Sequence, residues 1–457
     1  MIVAPSAIPV RIVPSAVLSN VQRDSIGIAV AVWDAHMMDY KVPELIRKVG
    51  AQVIRYPGGS YADLYQWKTH SATKGQTANI QPGTDFDSFM SLCKASKTTP
   101  LITVNYGSNP EGTRGASPDY AAEWVKYANK TKKYGVKYWE IGNEIPGNGF
   151  YSGKGWEFDL HAPYTKDPME RLKDPRLGPT AYGRNVLEFV RKMKAVDKTI
   201  KIGAVLCTPG EWPDGIDPDW NTHVLSECGK EIDFVVLHWY PSGKSAEQNV
   251  QDLKKVQGFL AKTRELVDRH CGERANQVQT WMTEGDASGQ NMRHPGALFA
   301  ADHFAHWLKH GAAHVNWWNL HNGLWVGPNG EYDDQGMLSS GHTSRGISQP
   351  PANTPFPTYW GVAIFSRFAR PGDAFVKVEG GTEALSLHAV KTRNGRIRLL
   401  AINHGKEAQE LDINPLPLPG KVLVYGPSSK SLQTWRVAQK LVVEGESIML
   451  LETKEVR

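Results

Sequence analysis

Residues 136–146 read VKYWEIGNEIP. An apolar run ends in the polar pair Asn143 and Glu144, and Pro146 then breaks the chain. The pattern predicts a short strand over 136–141 that delivers two polar side chains at its carboxyl end, ahead of a loop rich in Gly and Pro. That arrangement suits a parallel α/β barrel, where chemistry sits on the loops that follow the strands. Residues 278–284, VQTWMTE, end in the same way on Glu284.

Working outward, near-continuous apolar runs predict eight strands, at 25–33, 53–56, 100–106, 136–141, 199–206, 233–240, 278–284 and 314–320. Helical spacing falls at 42–49, 118–134, 180–196, 218–229, 245–270 and 293–310, with a last helix at 358–369. Eight strand-helix units in sequence predict a (β/α)8 TIM barrel over residues 23–370. Beyond Pro371 and Gly372 the texture changes to short alternating runs, at 396–403, 422–425 and 447–452, separated by turn residues. These predict a C-terminal antiparallel β-sandwich. Residues 1–22 alternate around Val10 and Val13 and are expected to join it, so the second domain is 1–22 plus 371–457.

A chain of 457 residues matches a full barrel with a smaller companion. Its 52 basic and 47 acidic residues give a net charge of +5 with no basic run, which argues against nucleic acid or membrane as the partner and for a neutral one. Fifteen Trp and sixteen Tyr serve large cores or flat platforms for sugar rings, core being the commoner fate of any single one. Cys93, Cys207, Cys228 and Cys271 form no CxxC pair and read as core thiols, with a bridge between Cys228 and Cys271 the alternative. Three prolines interrupt the apolar start of the chain, which has no basic n-region, so it is neither a signal peptide nor a span as written. The expected location is the cytoplasm, or outside the cell if a signal peptide has been removed.

Two carboxylates facing one barrel mouth are what hydrolysis of a glycosidic bond requires, so a carbohydrate is the expected substrate. Glu284 is assigned as nucleophile and Glu144 as acid/base. Arg55 closes the second strand before the turn Pro57, Gly58, Gly59 and is placed to keep one carboxylate charged. His238 and Tyr240, in VVLHWYP at 235–241, share inward parity and are candidates to orient the nucleophile or the sugar. Asn105 at the third strand's end and Trp318 in the eighth join them as supporting or substrate-binding residues. Long loops at 146–179, 207–220 and 321–356 carry Phe150, Tyr151, Trp156, Trp212, Trp220 and Trp325 as candidate stacking faces. Asp63, Asp286 and Asp334 are further acids within reach of the mouth.

No metal and no cofactor is expected. His303, His306 and His310 fall at helical spacing in HFAHWLKH but show no carboxylate partner in that pattern, and GPNGEYDDQG at 327–336 lacks the spacing of a calcium loop.

Four motifs together, IRYPGGSYADLYQW at 54–67, KYWEIGNE at 137–144, HWY at 238–240 and the Thr283–Glu284 pair, resemble the signatures of glycoside hydrolase clan A. The resemblance spans residues 25–320 and is most similar to the family 51 α-L-arabinofuranosidases, then to the family 44 endoglucanases. It implies a retaining enzyme with Glu144 as acid/base, Glu284 as nucleophile, Asn143 on the hydroxyl next to the anomeric carbon, and Arg55 and Tyr240 as partners of the nucleophile. Residues 282–290, MTEGDASGQ, depart from both families after the nucleophile. The implied activity is release of α-L-arabinofuranose, with an endo-acting β-glucanase or xylanase as the alternative. A sugar-binding barrel without turnover would be marked by loss of one of the two Glu residues, and both are present.

Overall fold

A computed structural model describes residues 7–147, 157–161, 178–211, 220–243 and 245–453. Eight parallel strands, Ile26–Ala29, Val53–Tyr56, Thr99–Val104, Tyr138–Ile141, Lys201–Val205, Phe234–His238, Gln279–Glu284 and His314–Trp317, close into a barrel in chain order. The ring is sealed where the last strand pairs with the first, Asn316 opposite Gly27. The expected (β/α)8 barrel is present. Its strands are legible because they are buried on both faces: every residue of Ile26–Ala29, Val53–Tyr56 and Tyr138–Ile141 is buried.

Helices Val42–Val49, Gly178–Val196, Trp220–Cys228, His294–Lys309 and Pro357–Phe368 lie where helical spacing places them. The span 118–134 divides into Pro118–Val125, capped by the Ser117 hydroxyl, and a wider π turn, Lys126–Thr131. The span 245–270 divides at Leu253–Lys255 into Ala246–Asp252 and Val256–His270. Helix Phe86–Ser96 is absent from the sequence expectation. Its start signal is Asp85, whose carboxylate accepts the N–H groups of Asp87 and Ser88.

Strand Arg11–Asn20 lies at the edge of a seven-stranded antiparallel sheet, followed in space by Ala374–Glu379, Leu385–Lys391, Ile397–Asn403, Ser447–Glu452, Lys421–Tyr425 and Gln433–Arg436. A second sheet of Ile8–Pro9, Gln409–Asp412 and Leu441–Val443 covers it, with Leu399, Ala401, Met449, Leu411 and Leu441 in the shared core. Ile8–Pro9 pairs in parallel, a departure from the all-antiparallel expectation. The outer face of the large sheet packs on the barrel: Leu400, Ile402 and Leu450 join the barrel's core, and Phe375 meets Phe368 edge to face. Each such fully buried side chain is worth roughly 1.5–3 kcal/mol.

All four cysteines are buried free thiols, so Cys228 and Cys271 are not bridged. Among the described residues no helix is long and apolar enough to cross a membrane.

Candidate active site

Three barrel strands converge on one guanidinium. Arg55 is fully buried and donates from Nε to Glu140 Oε1, from Nη1 to Glu284 Oε2 at 2.8 Å and from Nη2 to Asn143 Oδ1 at 2.8 Å. Burial opposes its charge, but Glu140 and Glu284 outweigh that and hold it as a cation. Glu140, inside the fourth strand, also accepts from Thr103 Oγ1 at 2.5 Å. The sequence reading missed Glu140. The available signal was a lone carboxylate within an otherwise apolar strand, which demands a buried partner.

Glu284 closes the seventh strand with its side chain only 7% exposed. Tyr240 donates to its Oε1 at 2.7 Å while Arg55 holds Oε2. Burial raises the Glu284 carboxyl above its ordinary range; His238, Arg55 and the Tyr240 hydroxyl pull it back, so Arg55 limits the rise without reversing it. Burial, and then Glu284, push the Tyr240 phenol well above its usual value and keep it a donor.

Glu144 is the more open acid, its side chain 26% exposed, which lets it trade protons with water and reach a leaving group. His238 Nδ1 lies 2.9 Å from Glu144 Oε1 and 3.7 Å from Glu284 Oε2, and His238 Nε2 shares a hydrogen bond with Thr283 Oγ1 at 3.0 Å. A tautomer with the proton on Nδ1 satisfies both contacts. One carboxylate oxygen of Glu144 and one of Glu284 fall within 4.8 Å of each other. That matches the separation of about 5–5.5 Å used for direct attack on carbon and falls short of the roughly 6.5–9.5 Å that leaves room for water. A cavity of about 190 Å³ opens beside Glu144 and Tyr240, walled by Cys207, Thr208 and Trp239.

Asn143 reaches this mouth because Gly142, at φ 75°, turns the chain where a side chain would be strained. Its backbone N–H donates to Asp63 Oδ2 at 2.8 Å and its Nδ2 to Glu157 Oε2 at 3.0 Å. Glu157 Oε2 also accepts the Glu144 N–H at 3.0 Å. Asp63 thus enters the site as a support, further fixed by the N–H groups of Tyr106 and Gly107. Glu157 was not foreseen, since its place in a long loop gives no periodic signal. Burial, and then the Asp63 charge, raise Glu157 well above the usual carboxylate range.

Trp318, whose backbone N–H donates to Gly285 O next to Glu284, lies 5.9 Å from Trp33 between ring centroids. Gly59, at φ 44°, permits this: a Cβ there would come within 2.8 Å of the Trp318 ring. Asn105 is not brought to the carboxylates. Its amide donates to Tyr65 O and accepts from Ser108 N, bracing the loop after the third strand. Trp220 is a correction, fully buried with its indole N–H on Val205 O, because it opens a helix that packs on the barrel. Trp325 is 59% exposed. Phe150, Tyr151, Trp156 and Trp212 lie outside the described residues.

The acids of 327–336 are occupied by protein donors, Asp333 by Asn291 Nδ2 and Met292 N, Asp334 by Gly336 N and Gln349 Nε2. Glu144, His238 and Glu284 present three donor atoms a metal could use. The Arg55 cation, 2.8 Å from Glu284, opposes a second positive charge there. The expectation that no carboxylate completes the histidines of 303–310 is overturned. Asp302 lies beside His306 and is joined by His388 from the sandwich, while His303 turns inward against Trp239.

Burial raises both Asp63 and Asp286 to about 7. A carboxyl raised in the fold adds stability below its unfolded value, near 4, and that stability is lost as pH climbs to about 7. Asp286 Oδ1 accepts from Ser288 N and its Oδ2 has no partner among the described residues. Asp286→Asn should therefore match the parent in urea midpoint near pH 4 and exceed it at pH 8, by on the order of a few kcal/mol. Equal midpoints at pH 8 would dismiss the burial argument.

No family model matches the chain. It is 26% identical over 265 residues to a probable α-L-arabinofuranosidase C of Aspergillus clavatus, a match covering 50% of this chain and 45% of that protein. It is 27% identical over 225 residues to intracellular exo-α-(1→5)-L-arabinofuranosidase 1 of Bacillus subtilis, covering 44% and 38%. The matches thus span less than half the length of these curated relatives. Among solved structures, the α-L-arabinofuranosidase of Thermotoga maritima aligns with a TM-score of 0.71 at 18% identity, over 98% of this chain and all of that one. A family 44 xyloglucanase of Paenibacillus polymyxa aligns at 0.65 and 14%, over 99% and 100%. A family 51 α-L-arabinofuranosidase of Thermotoga petrophila aligns at 0.69 and 18%, over 98% and 100%, so both families that the motifs resemble are represented among these structural neighbours, and the shared fold is the (β/α)8 barrel with its appended β-sandwich.

Proposed function

We propose that this protein is a retaining glycoside hydrolase that releases α-L-arabinofuranose from plant cell-wall polysaccharide or its oligosaccharides. The observation that carries the proposal is the approach of Glu144 and Glu284 to within 4.8 Å, with Arg55 Nη1 and the Tyr240 hydroxyl each holding one oxygen of Glu284. In the first step Glu284 attacks the anomeric carbon and the C–O bond breaks, while Glu144 gives its proton to the departing oxygen. In the second, Glu144 takes a proton from water, whose oxygen displaces Glu284. Two inversions give net retention. His238 touches both acids and positions Glu144, and Asn143, oriented by Arg55 and Glu157, faces the hydroxyl beside the reacting carbon.

The substrate assignment is supported by the names of the relatives, and the word intracellular in the bacterial one supports action inside the cell. An exposed Trp325 on the loop after the eighth strand favours a second reading, an endo-β-1,4-glucanase or xylanase that stacks several rings along a groove. kcat/KM on 4-nitrophenyl α-L-arabinofuranoside, set beside carboxymethylcellulose, xyloglucan and xylan, separates them. Hydrolysis of the α-arabinoside, followed by NMR, should release the α-anomer first, the retained configuration. Internal cleavage of polymer with no arabinoside turnover selects the endo reading, and an inverted product removes the mechanism altogether.

The Glu144→Ala enzyme should be impaired least on leaving groups that depart without a proton, since general acid help, roughly 10²–10⁴-fold, matters only for a basic leaving oxygen. Added azide should restore turnover and yield a glycosyl azide of retained configuration.

A further inference from the structure

We propose that Asp302, His306, His388 and His404 form a structural site for one divalent transition-metal ion of the zinc type, which clamps the barrel to the β-sandwich. Asp302 and His306 lie one helical turn apart on His294–Lys309 and so share a face. His388 comes from the sandwich strand Leu385–Lys391, and His404 directly follows Ile397–Asn403. Each imidazole turns Nε2 toward the one carboxylate: His388 Nε2 is 2.5 Å from Asp302 Oδ1, His404 Nε2 is 3.0 Å from Oδ2 and His306 Nε2 is 3.5 Å from Oδ1. Donor atoms of Asp302, His306 and His388 all fall within 4.8 Å of one another. Bonds of about 2.0–2.1 Å from a tetrahedral ion require donors a little over 3 Å apart, so small rotations bring these three onto one centre, and His404, outside that group but 3.0 Å from Asp302 Oδ2, swings in to complete the set.

Charge points the same way. The Asp302 and His388 side chains are each 1% exposed, and the ion-pair partners of Asp302 among the described residues are these three imidazoles, with no Lys or Arg. Lys309, on the same helix, is a cation whose charge Asp302 favours and burial opposes, and a divalent ion held by the carboxylate itself supplies the counter-charge directly. His388 Nδ1 is buried with no hydrogen-bond partner among the described residues, so the ring is committed through Nε2 alone. The Ser386 hydroxyl donates to Asp302 Oδ2 at 2.7 Å and fixes the carboxylate, as outer partners of metal ligands do.

Three imidazoles and one carboxylate without thiolate suit Zn²⁺, and four protein ligands leave no open position for chemistry, which makes the site structural. An entry path exists: His404 lines a surface cavity beside Glu247, Glu383 and Lys406. The helical pattern of 303–310 could not show this, because its partners lie 80 to 100 residues away on other strands.

Elemental analysis of the full chain, purified without an affinity tag from zinc-supplemented medium, should find about one zinc per chain. After chelator treatment, Zn²⁺ alone should raise the melting temperature by several degrees. Co²⁺ in its place should give the visible absorption of a tetrahedral site. His404→Gln alters a rim ligand and should fold with the apo protein's melting temperature while losing the zinc response, and His388→Gln should lose it too. A melting temperature unmoved by Zn²⁺ in the chelator-treated parent overturns the site and leaves a plain hydrogen-bonded cluster. A zinc response kept in full by His404→Gln places the ion elsewhere and overturns it equally.

Discussion

Glu284→Ala is expected to lose kcat on every glycoside by about a million-fold, the scale seen when a covalent nucleophile is removed. The loss should not depend on the leaving group, because no route to a covalent intermediate remains. Glu284 is held by two donors, Arg55 Nη1 on Oε2 and Tyr240 Oη on Oε1, which fix the carboxylate's orientation. Azide has room to enter where the carboxylate stood, and the product it gives should be the glycosyl azide of inverted configuration. Steady-state rates on an aryl glycoside, with NMR of the azide product, check both statements. Retained azide from this variant would exchange the roles of Glu284 and Glu144, and a loss below about tenfold would remove Glu284 from the chemistry.

Arg55→Ala carries the second large effect, on stability as well as rate. The guanidinium is the cation between Glu140, itself fully buried, and Glu284, and it also fixes Asn143. Removing one member of a buried pair costs about 3–5 kcal/mol, chiefly through the charge left behind. The urea midpoint should fall accordingly. Adding Glu140→Gln to Arg55→Ala should recover much of that loss by neutralising the orphaned carboxylate, with kcat left low because Glu284 and Asn143 remain unsupported. kcat should fall more than KM, since Arg55 serves the nucleophile and not the bulk of the sugar. A double variant as unstable as the single one would show that Glu140 is not the partner that matters.

The barrel was legible because its strands are buried on both faces and bounded by turn residues, so VKYWEIGNEIP and VQTWMTE mark both position and direction. Glu144, Glu284, Arg55 and Tyr240 followed from strand ends alone, and the structure brings all four together. What stayed hidden depends on contacts between distant segments. Glu140 and Thr103 meet only through strand register, and Glu157 reaches Asn143 from an irregular loop. Asn105 has the same strand-end signature as Asn143, yet its amide is consumed locally by Tyr65 and Ser108. Trp220 sits at a loop's end by sequence and in the core by packing, because a helix begins on it.

The edge strand Arg11–Asn20 has a consequence for how a nascent chain is handled. Asn20 pairs with Ala374, a partner translated about 350 residues later, so the strand leaves the ribosome long before its neighbour exists. The barrel between them can collapse on its own contacts while this ribbon waits with open N–H and C=O groups, an invitation to another chain. Arg11 and Pro14 lie within the ribbon, a charge and a missing donor where a stray strand would dock. In ribosome-bound chains halted before residue 374, those two residues discourage a stray strand from docking on the ribbon.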